Sequence, residues 1–385
     1  MKTEKLLYLE AIRGLAALIV VFSHFIYAFY PDLKGASFSD ANTTSFAGLI
    51  AMTPLNIWHE GQFAVHIFFV LSGLVLSLSF FKSGDRQKAV SGAVRRYFRL
   101  SVPIFVTVLL AYVIHRNHLF FNDQVAVLIS NSWLAPFYQF DPSALLLFKE
   151  GLYGAILNFD PAYTYDSVLW TMEVEFLGSL FVFGFLYLFG HSNTRCFAYF
   201  AVFAILILTD RLHMMDFLVG IIRCDLLVNK GRIFRFPLSL SFLLVGLGLF
   251  MGGLRQEWLA LPGVTFWDSI GAVLVIVGIA ANADLRALLQ TGKLAFLGRV
   301  SFGLYLVHWL VLMSLGCGLY VLLRNSGIAH DASALSVGVV YVLVSLFMAW
   351  LLYGCADRPA IWLGHAVYNG LSRFGRSPAV PATAR

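Results

Sequence analysis

Leu7 to Phe25 reads LYLEAIRGLAALIVVFSHF. The stretch has the apolar density of a membrane helix, yet it carries Glu10 and Arg13 at its front edge and His24 deep in the apolar run. Arg13 and His24 are about three helical turns apart, so a regular helix puts both on one face, roughly 16 Å apart along the axis. That is about half of a ~30 Å hydrocarbon core. A cation at one membrane edge and an imidazole near mid-depth would then stand in line. Lys2 and Lys5 before the apolar run imitate a signal peptide. No small-residue cleavage pattern follows, so an uncleaved first membrane helix is the better reading.

The composition supports a membrane setting for the whole chain. Of 385 residues, 59% are hydrophobic and only 12% charged, against about 25% charged in soluble domains. The 36 Phe and 16 Tyr suit lipid-facing and interfacial surfaces. The formal charge of +6 does not point to nucleic acid, because the basic residues fall in short loops between apolar runs instead of on one solvated face. The four cysteines, Cys196, Cys224, Cys317 and Cys355, are scattered without zinc spacing or a disulfide pattern. No metal is expected.

Apolar runs occur at about 14–30, 61–80, 101–115, 167–190, 196–210, 213–229, 237–253, 267–282, 300–322 and 335–355. They predict an all-α integral membrane protein with about ten transmembrane helices. Run 101–115 is short, and its helix can extend back into the basic segment before it. Asp123–Phe140 is apolar but broken by Asn131, Ser132 and Pro136, which suits an interfacial or re-entrant piece. With ten spans and a cytoplasmic N-terminus, twenty of the 27 Lys and Arg fall on the inside, six fall outside, and Arg223 lies within a helix. That positive-inside bias places both termini in the cytoplasm. Residues 1–365 read as one membrane domain and 366–385 as a Pro- and Ala-rich tail, disordered in the cytoplasm.

Ionisable residues inside a membrane span are costly and point to function. His24, Glu175 in LWTMEVEFLGSLF and His308 in LGRVSFGLYLVHWLV are the three that stand out. Each has a plainer reading: a hydrogen-bonded packing histidine, or a glutamate that ties two helices together. For His24 the plainer reading is weakened by Arg13 on the same face. Ser72 and Gly73 lie mid-span in the second run, where small residues also serve helix packing. Arg95, Arg96 and Arg99 follow on one short stretch. They can anchor the topology against lipid headgroups or bind phosphate through their guanidinium forks, and on the residues alone the anchor is the simpler reading.

Six stretches occur in one order: RGLAALIVVFSHF (Arg13–Phe25), FFVLSGLVLS (Phe68–Ser77), RRYFRLSVP (Arg95–Pro103), LWTMEVEF (Leu169–Phe176), LGRVSFGLYLVHW (Leu297–Trp309) and DRP (Asp357–Pro359). Each is weak alone. The ordered set, spanning nearly the whole chain, resembles the membrane acyltransferase-3 family of O-acyltransferases. The resemblance implies a donor, usually acetyl-CoA, that enters from the cytoplasm as a co-substrate, with no tightly bound cofactor. It implies a sugar-hydroxyl acceptor on an envelope or exported glycan or a lipid-linked sugar, and an inner (plasma) membrane location. Arg13 and His24 match the family's first-helix arginine and essential histidine. Arg95, Arg96 and Arg99, with Ser72, match its donor side, and Glu175 matches its conserved acid. Ser301, Tyr305 and His308 match its ninth-helix stretch. His66 stands where an acidic or other polar residue is common, Leu74 replaces a common Phe, Phe302 a common Tyr and Asp357 a common Glu.

These readings converge on one expectation. Arg95, Arg96, Arg99 and Arg13 hold the CoA phosphates, and His24 acts as general base or acyl carrier, with imidazole suited by type to proton transfer near neutrality. Glu175 joins it as a catalytic residue, while Tyr305, His308 and His66 face the acceptor. A homo-oligomer is compatible with the sequence. The rival is a polytopic transporter or a subunit of a glycan-export complex, since polar residues inside helices also line transport paths.

Overall fold

The computed structural model describes residues 7–31, 33, 53–229, 235–255 and 263–374. These residues form helices and connections, with no strand among them. The helices are α1 (Leu7–Phe29), α2 (Gly61–Ser83), α3 (Arg86–Arg116), α4 (Asn122–Leu128), α5 (Ala144–Lys149), α6 (Trp170–Phe189), α7 (Arg195–Leu208) and α8 (Leu212–Val228). They continue with α9 (Leu238–Gly252), α10 (Val264–Ala281), α11 (Ala283–Leu289), α12 (Gly292–Val311), α13 (Cys317–Asn325), α14 (His330–Leu352) and α15 (Arg358–Phe374).

Each of the ten predicted apolar runs falls on a helix. Among the described residues, seven segments are long and apolar enough to cross a bilayer: 7–29, 61–83, 86–116, 167–189, 264–281, 292–325 and 330–372. The helices α7 and α9 are apolar but shorter. Two of the long segments run through π-turns, Leu312–Gly316 between α12 and α13 and Tyr353–Asp357 between α14 and α15. Such turns interrupt the regular hydrogen-bond ladder without ending the helix.

Local chemistry explains the boundaries that matter for the site. α1 runs unbroken through Gly14 and ends just before Tyr30 and Pro31, the residue before a proline being disfavoured in the helical region. α2 stops at Gly84, whose φ of 64° is left-handed and whose N–H returns to the Phe80 carbonyl, a glycine-terminated helix end. Asp85 follows at once and accepts from the Gln87 N–H to cap α3. α3 is a single helix of 31 residues, about 46 Å long. The short run at 101–115 therefore does extend back through the basic segment, carrying Arg95, Arg96 and Arg99 on a helix.

Asp123–Phe140 does not span. It forms α4 and an irregular turn in which Ser130 and Tyr138 have positive φ. Its Asn131 amide donates to the carbonyls of Tyr27 and Ala28 at 2.7 and 3.0 Å. That satisfies two of the orphan carbonyls at the end of α1 and pins the segment over the end of that helix, close to His24. At the other end of the chain the helical structure runs through to Phe374. The first residues of the expected 366–385 tail belong to α15, and 375–385 lie outside the described residues.

The core of the bundle packs α1 against α12 and α2, α2 against α8, α12 against α14, and α3 against α6 and α15. The crossing of α1 and α12 depends on two glycines. A Cβ on Gly14 would lie 2.8 Å from the Gly298 nitrogen, and one on Gly298 would lie 2.3 Å from the Glu10 carbonyl oxygen. Small residues let membrane helices approach this closely. The crossing brings His24 on α1 level with His308 on α12.

Candidate functional site

One cavity of about 330 Å³ opens among α1, α2, α3, α6, α12 and α15. Eight of the residues singled out from the sequence line it: Arg13, Ser72, Arg95, Arg96, Arg99, Glu175, Ser301 and Tyr305. Five cations face it, Arg13, Lys88, Arg95, Arg96 and Arg99, against the carboxylate of Glu175. The buried Asp357 lies within the field of Arg99, Arg13 and Arg96. The surplus is positive in a half-enclosed, low-dielectric space, where it attracts an anion far more strongly than it would in water.

The inner wall of the cavity is organised by Glu175. Its Oε1 accepts from the Ser72 hydroxyl at 2.6 Å and from the Arg96 guanidinium. The Arg96 Nε donates to Ser179 Oγ at 2.7 Å, and Ser179 in turn donates to the Glu175 carbonyl at 2.6 Å. Arg96 and Glu175 are each only 10% exposed. Glu175 is therefore held among the arginines, bonded to Arg96 and Ser72. It occupies one guanidinium face of Arg96 and fixes that side chain. At the outer part, the Arg95 Nε donates to the Ser91 carbonyl at 3.1 Å, and its NH1 lies 3.0 Å from His365 Nε2.

His24 and His308 do not line this cavity. They form a pair of their own, His24 Nδ1 to His308 Nε2 at 2.9 Å. His308 is fully buried, and its Nδ1 is 3.0 Å from the Leu304 carbonyl oxygen. Both of its ring nitrogens are thus engaged within the protein. Aromatic rings frame His24. Trp309 meets it edge-on at 5.2 Å between centroids, Trp133 stacks at 6.2 Å, and Tyr27 stacks on Trp133 at 5.0 Å. The Trp309 indole N–H donates to Tyr138 at 3.0 Å.

Tyr305 connects the two places. It lines the cavity, and its ring centroid is 5.8 Å from that of His308, one turn further along α12. Its hydroxyl is hydrogen-bonded to Thr171 Oγ1 at 2.8 Å.

His66 lies elsewhere. It is 1% exposed and its Nδ1 is 2.6 Å from Asp216 Oδ2 and 3.2 Å from Ser269 Oγ. The ring of His213 is 5.1 Å away. His66 does not line the cavity and packs instead against α8 and α10. His66, His213 and Asp216 offer donor atoms all within 4.8 Å of one another, the set among the described residues that could hold a metal ion. As they stand, His66 and Asp216 are hydrogen-bonded directly to each other.

Two charged or titratable residues of the cavity, Lys88 and His365, carry no role in the sequence reading, and neither does the nearby Asp357. Lys88 looked like one more topology charge, and His365 fell near the boundary of the expected tail. Asp357 was noticed in DRP but given no role. No short-range pattern marks them; His365 reaches the cavity only because α15 packs on α3.

A bundle of apolar helices around a basic cavity, with a histidine pair beside it, defines a polytopic membrane protein with a positively lined internal cavity. The chain belongs to the acyltransferase-3 family, whose acyltransferase-domain model matches residues 6–354. It is similar to the O-acetyltransferase PaAT-1 of Phomopsis amygdali, 26% identical over 440 aligned positions that cover 96% of this chain and 86% of the relative. Shorter similarities are to the acyltransferase clz18 of Cochliobolus lunatus, 32% identical over 92 residues, 24% of this chain and 20% of the relative. The acyltransferase R4 of a Phoma species is 30% identical over 86 residues, 22% of this chain and 18% of that protein. No solved structure matches the chain. Family and helices together make it a membrane O-acyltransferase.

Proposed function

We propose that this chain transfers an acyl group, acetyl in the simplest case, from acyl-CoA to a hydroxyl of a sugar on an exported glycan or lipid-linked carrier. The observation that carries the proposal is the continuity from the arginine cavity through Tyr305 to the His24–His308 pair. Arg13, Arg95 and Arg99 take the CoA phosphates, for which guanidinium forks are the best-matched side chains. Arg96 is partly committed to Glu175 and shapes the wall. The pantetheine arm runs inward past Ser72 and Tyr305 and presents its thioester to His24.

The chemistry is a general-base acyl transfer. The acceptor O–H proton passes to the His24 imidazole while the hydroxyl oxygen bonds to the thioester carbonyl carbon. The C–S bond then breaks, its electron pair goes to sulfur, and the imidazolium returns the proton to the thiolate. The products are an ester and free CoA. General-base assistance of this kind contributes about 10²–10⁴-fold. The stacked Trp133 and Tyr27 beside His24 offer a flat apolar wall of the sort that the C–H face of a sugar ring covers.

In this reading the chain crosses the plasma (inner) membrane with both termini cytoplasmic. Support comes from Arg13, Lys88, Arg95, Arg96 and Arg99, which sequence assigns to the inside and which gather at one cavity. The test is purified protein in detergent with radiolabelled acetyl-CoA. CoA release stimulated by a glycan acceptor is expected. No release under any acceptor sinks the proposal and leaves the transporter and export-subunit readings standing.

A further inference from the structure

The hydrogen bonds around His308 assign protons without any appeal to titration. A carbonyl oxygen can only accept, so the 3.0 Å contact with Leu304 requires a proton on His308 Nδ1. In a neutral imidazole the other nitrogen then carries a lone pair and no proton. His308 Nε2 is therefore an acceptor, and the 2.9 Å contact requires His24 Nδ1 to be the donor. With its proton on Nδ1, neutral His24 has Nε2 as its unprotonated nitrogen. The relay runs in one direction, from the main chain of α12 through two rings to a single nitrogen on α1.

We propose that His308 is a positioning residue that fixes the tautomer and orientation of His24, so that Nε2 is the nitrogen that takes the acceptor's proton. The proposal rests on the reading of His24 as general base. When Nε2 gains that proton, Nδ1–H of the imidazolium still points at the His308 lone pair, a dipole already aimed at the charge that develops. A carboxylate would do the same work more strongly, but an unpaired charge at this depth is costly. A neutral ring anchored to a carbonyl supplies the acceptor without that charge.

The surroundings suit this role. His308 is fully buried and lies one residue before Trp309, whose indole meets His24 edge-on at 5.2 Å. The Trp309 N–H is held by Tyr138, so the wall against His24 does not swing. The glycine crossing of α1 and α12 sets the distance between the two imidazoles. Tyr305, the cavity's inner residue, is spaced one turn before His308 on the same helix, which puts the relay directly behind the point where a thioester arrives.

The experiment compares wild type, His24→Ala, His308→Leu and His308→Gln, purified in octyl glucoside, whose glucose hydroxyls serve as acceptor for acetyl-CoA. CoA release is followed at varied acetyl-CoA concentration. Gln can place its amide oxygen where His308 Nε2 stands and accept from His24 Nδ1–H; Leu cannot. His308→Leu should lower kcat by roughly a hundredfold with KM for acetyl-CoA changed less than about twofold, since the arginine cavity is untouched. His308→Gln should recover most of the loss. An inactive His24→Ala together with a His308→Leu enzyme at wild-type kcat overturns the positioning role alone, as does a Gln variant no better than Leu. An active His24→Ala overturns the general-base reading itself. Should the Leu variant fail to insert, ¹⁵N NMR of histidine-labelled wild type decides the matter. Nδ1-protonated neutral His24 is expected, and a proton on Nε2 overturns the proposal.

Discussion

Tyr305 and Thr171 join their side-chain oxygens at 2.8 Å, α12 to α6, at the inner end of the arginine cavity. Behind that contact stand His308 and then His24. Tyr305 thus stands between the arginine cavity and the histidine pair.

Widening or plugging this point should act on turnover and not on donor binding. Tyr305→Phe removes two buried hydrogen bonds, to Thr171 and to the Val168 carbonyl, each worth about 1 kcal/mol, and should leave acyl transfer within a few-fold of wild type. Tyr305→Trp adds bulk at the same place and should lower kcat by more than about tenfold at unchanged KM for acetyl-CoA. Steady-state kinetics on both variants check this, and a Trp variant at full kcat would show that the acyl group does not pass here.

The Arg96–Glu175 pair should reveal itself through a double substitution. Glu175→Leu leaves the buried Arg96 uncompensated and should destabilise by about 3–5 kcal/mol, the usual cost of breaking a buried ion pair. Arg96→Met combined with Glu175→Leu should regain most of that stability, because a well-packed apolar pair can replace an ionic one. Thermal melts in detergent read the recovery.

Arg13→Ala and Arg99→Ala should raise KM for acetyl-CoA by about tenfold or more while leaving the fold intact. Each loses a charge-assisted contact worth about 1.5–3 kcal/mol. The effect should be smaller for acetyl-pantetheine, which lacks the nucleotide phosphates. Equal effects on the two donors would remove these arginines from phosphate binding.

Stability should fall as pH rises toward and past neutrality, through Glu150. Burial raises its carboxyl from 4.5 to about 7, against hydrogen bonds from Thr164 and the Tyr165 N–H that favour the ionised form. A carboxyl whose folded pKa is raised contributes stability that is complete below its unfolded value and is lost as pH climbs through the folded one. The window is therefore about pH 4.5 to 7, and the contribution lost is roughly 3 kcal/mol at ~1.4 kcal/mol per unit. Glu150→Gln should flatten melting temperature against pH over that window.

Gly298→Val should separate α1 from α12, since a Cβ there already meets the Glu10 carbonyl at 2.3 Å. Overpacking of this kind costs about 1–3 kcal/mol. Activity should fall further than stability, because the 2.9 Å contact between His24 and His308 spans the same crossing. Measuring both on one preparation tests the ordering.

Much of this protein is a property of its sequence alone. Apolar runs of bilayer length locate helices because a chain in lipid must satisfy its backbone internally. The eleven-residue offset from Arg13 to His24 and the ordered motifs announced a family and a set of polar residues, and basic residues clustered at the ends of the runs. Local pattern could not say which polar residues meet. Glu175 and His24 both read as intramembrane acid–base groups, yet three-dimensional packing puts one against Arg96 and the other against His308. His66 sits in a familiar motif, but α8 supplies Asp216 from 150 positions away and draws it into a separate cluster. His365 enters the cavity only through the packing of α15 on α3. Burial and backbone periodicity are written in neighbouring residues, whereas the partner of a buried charge or imidazole is chosen by helix crossings between segments far apart in the chain, and those exist only in the folded bundle.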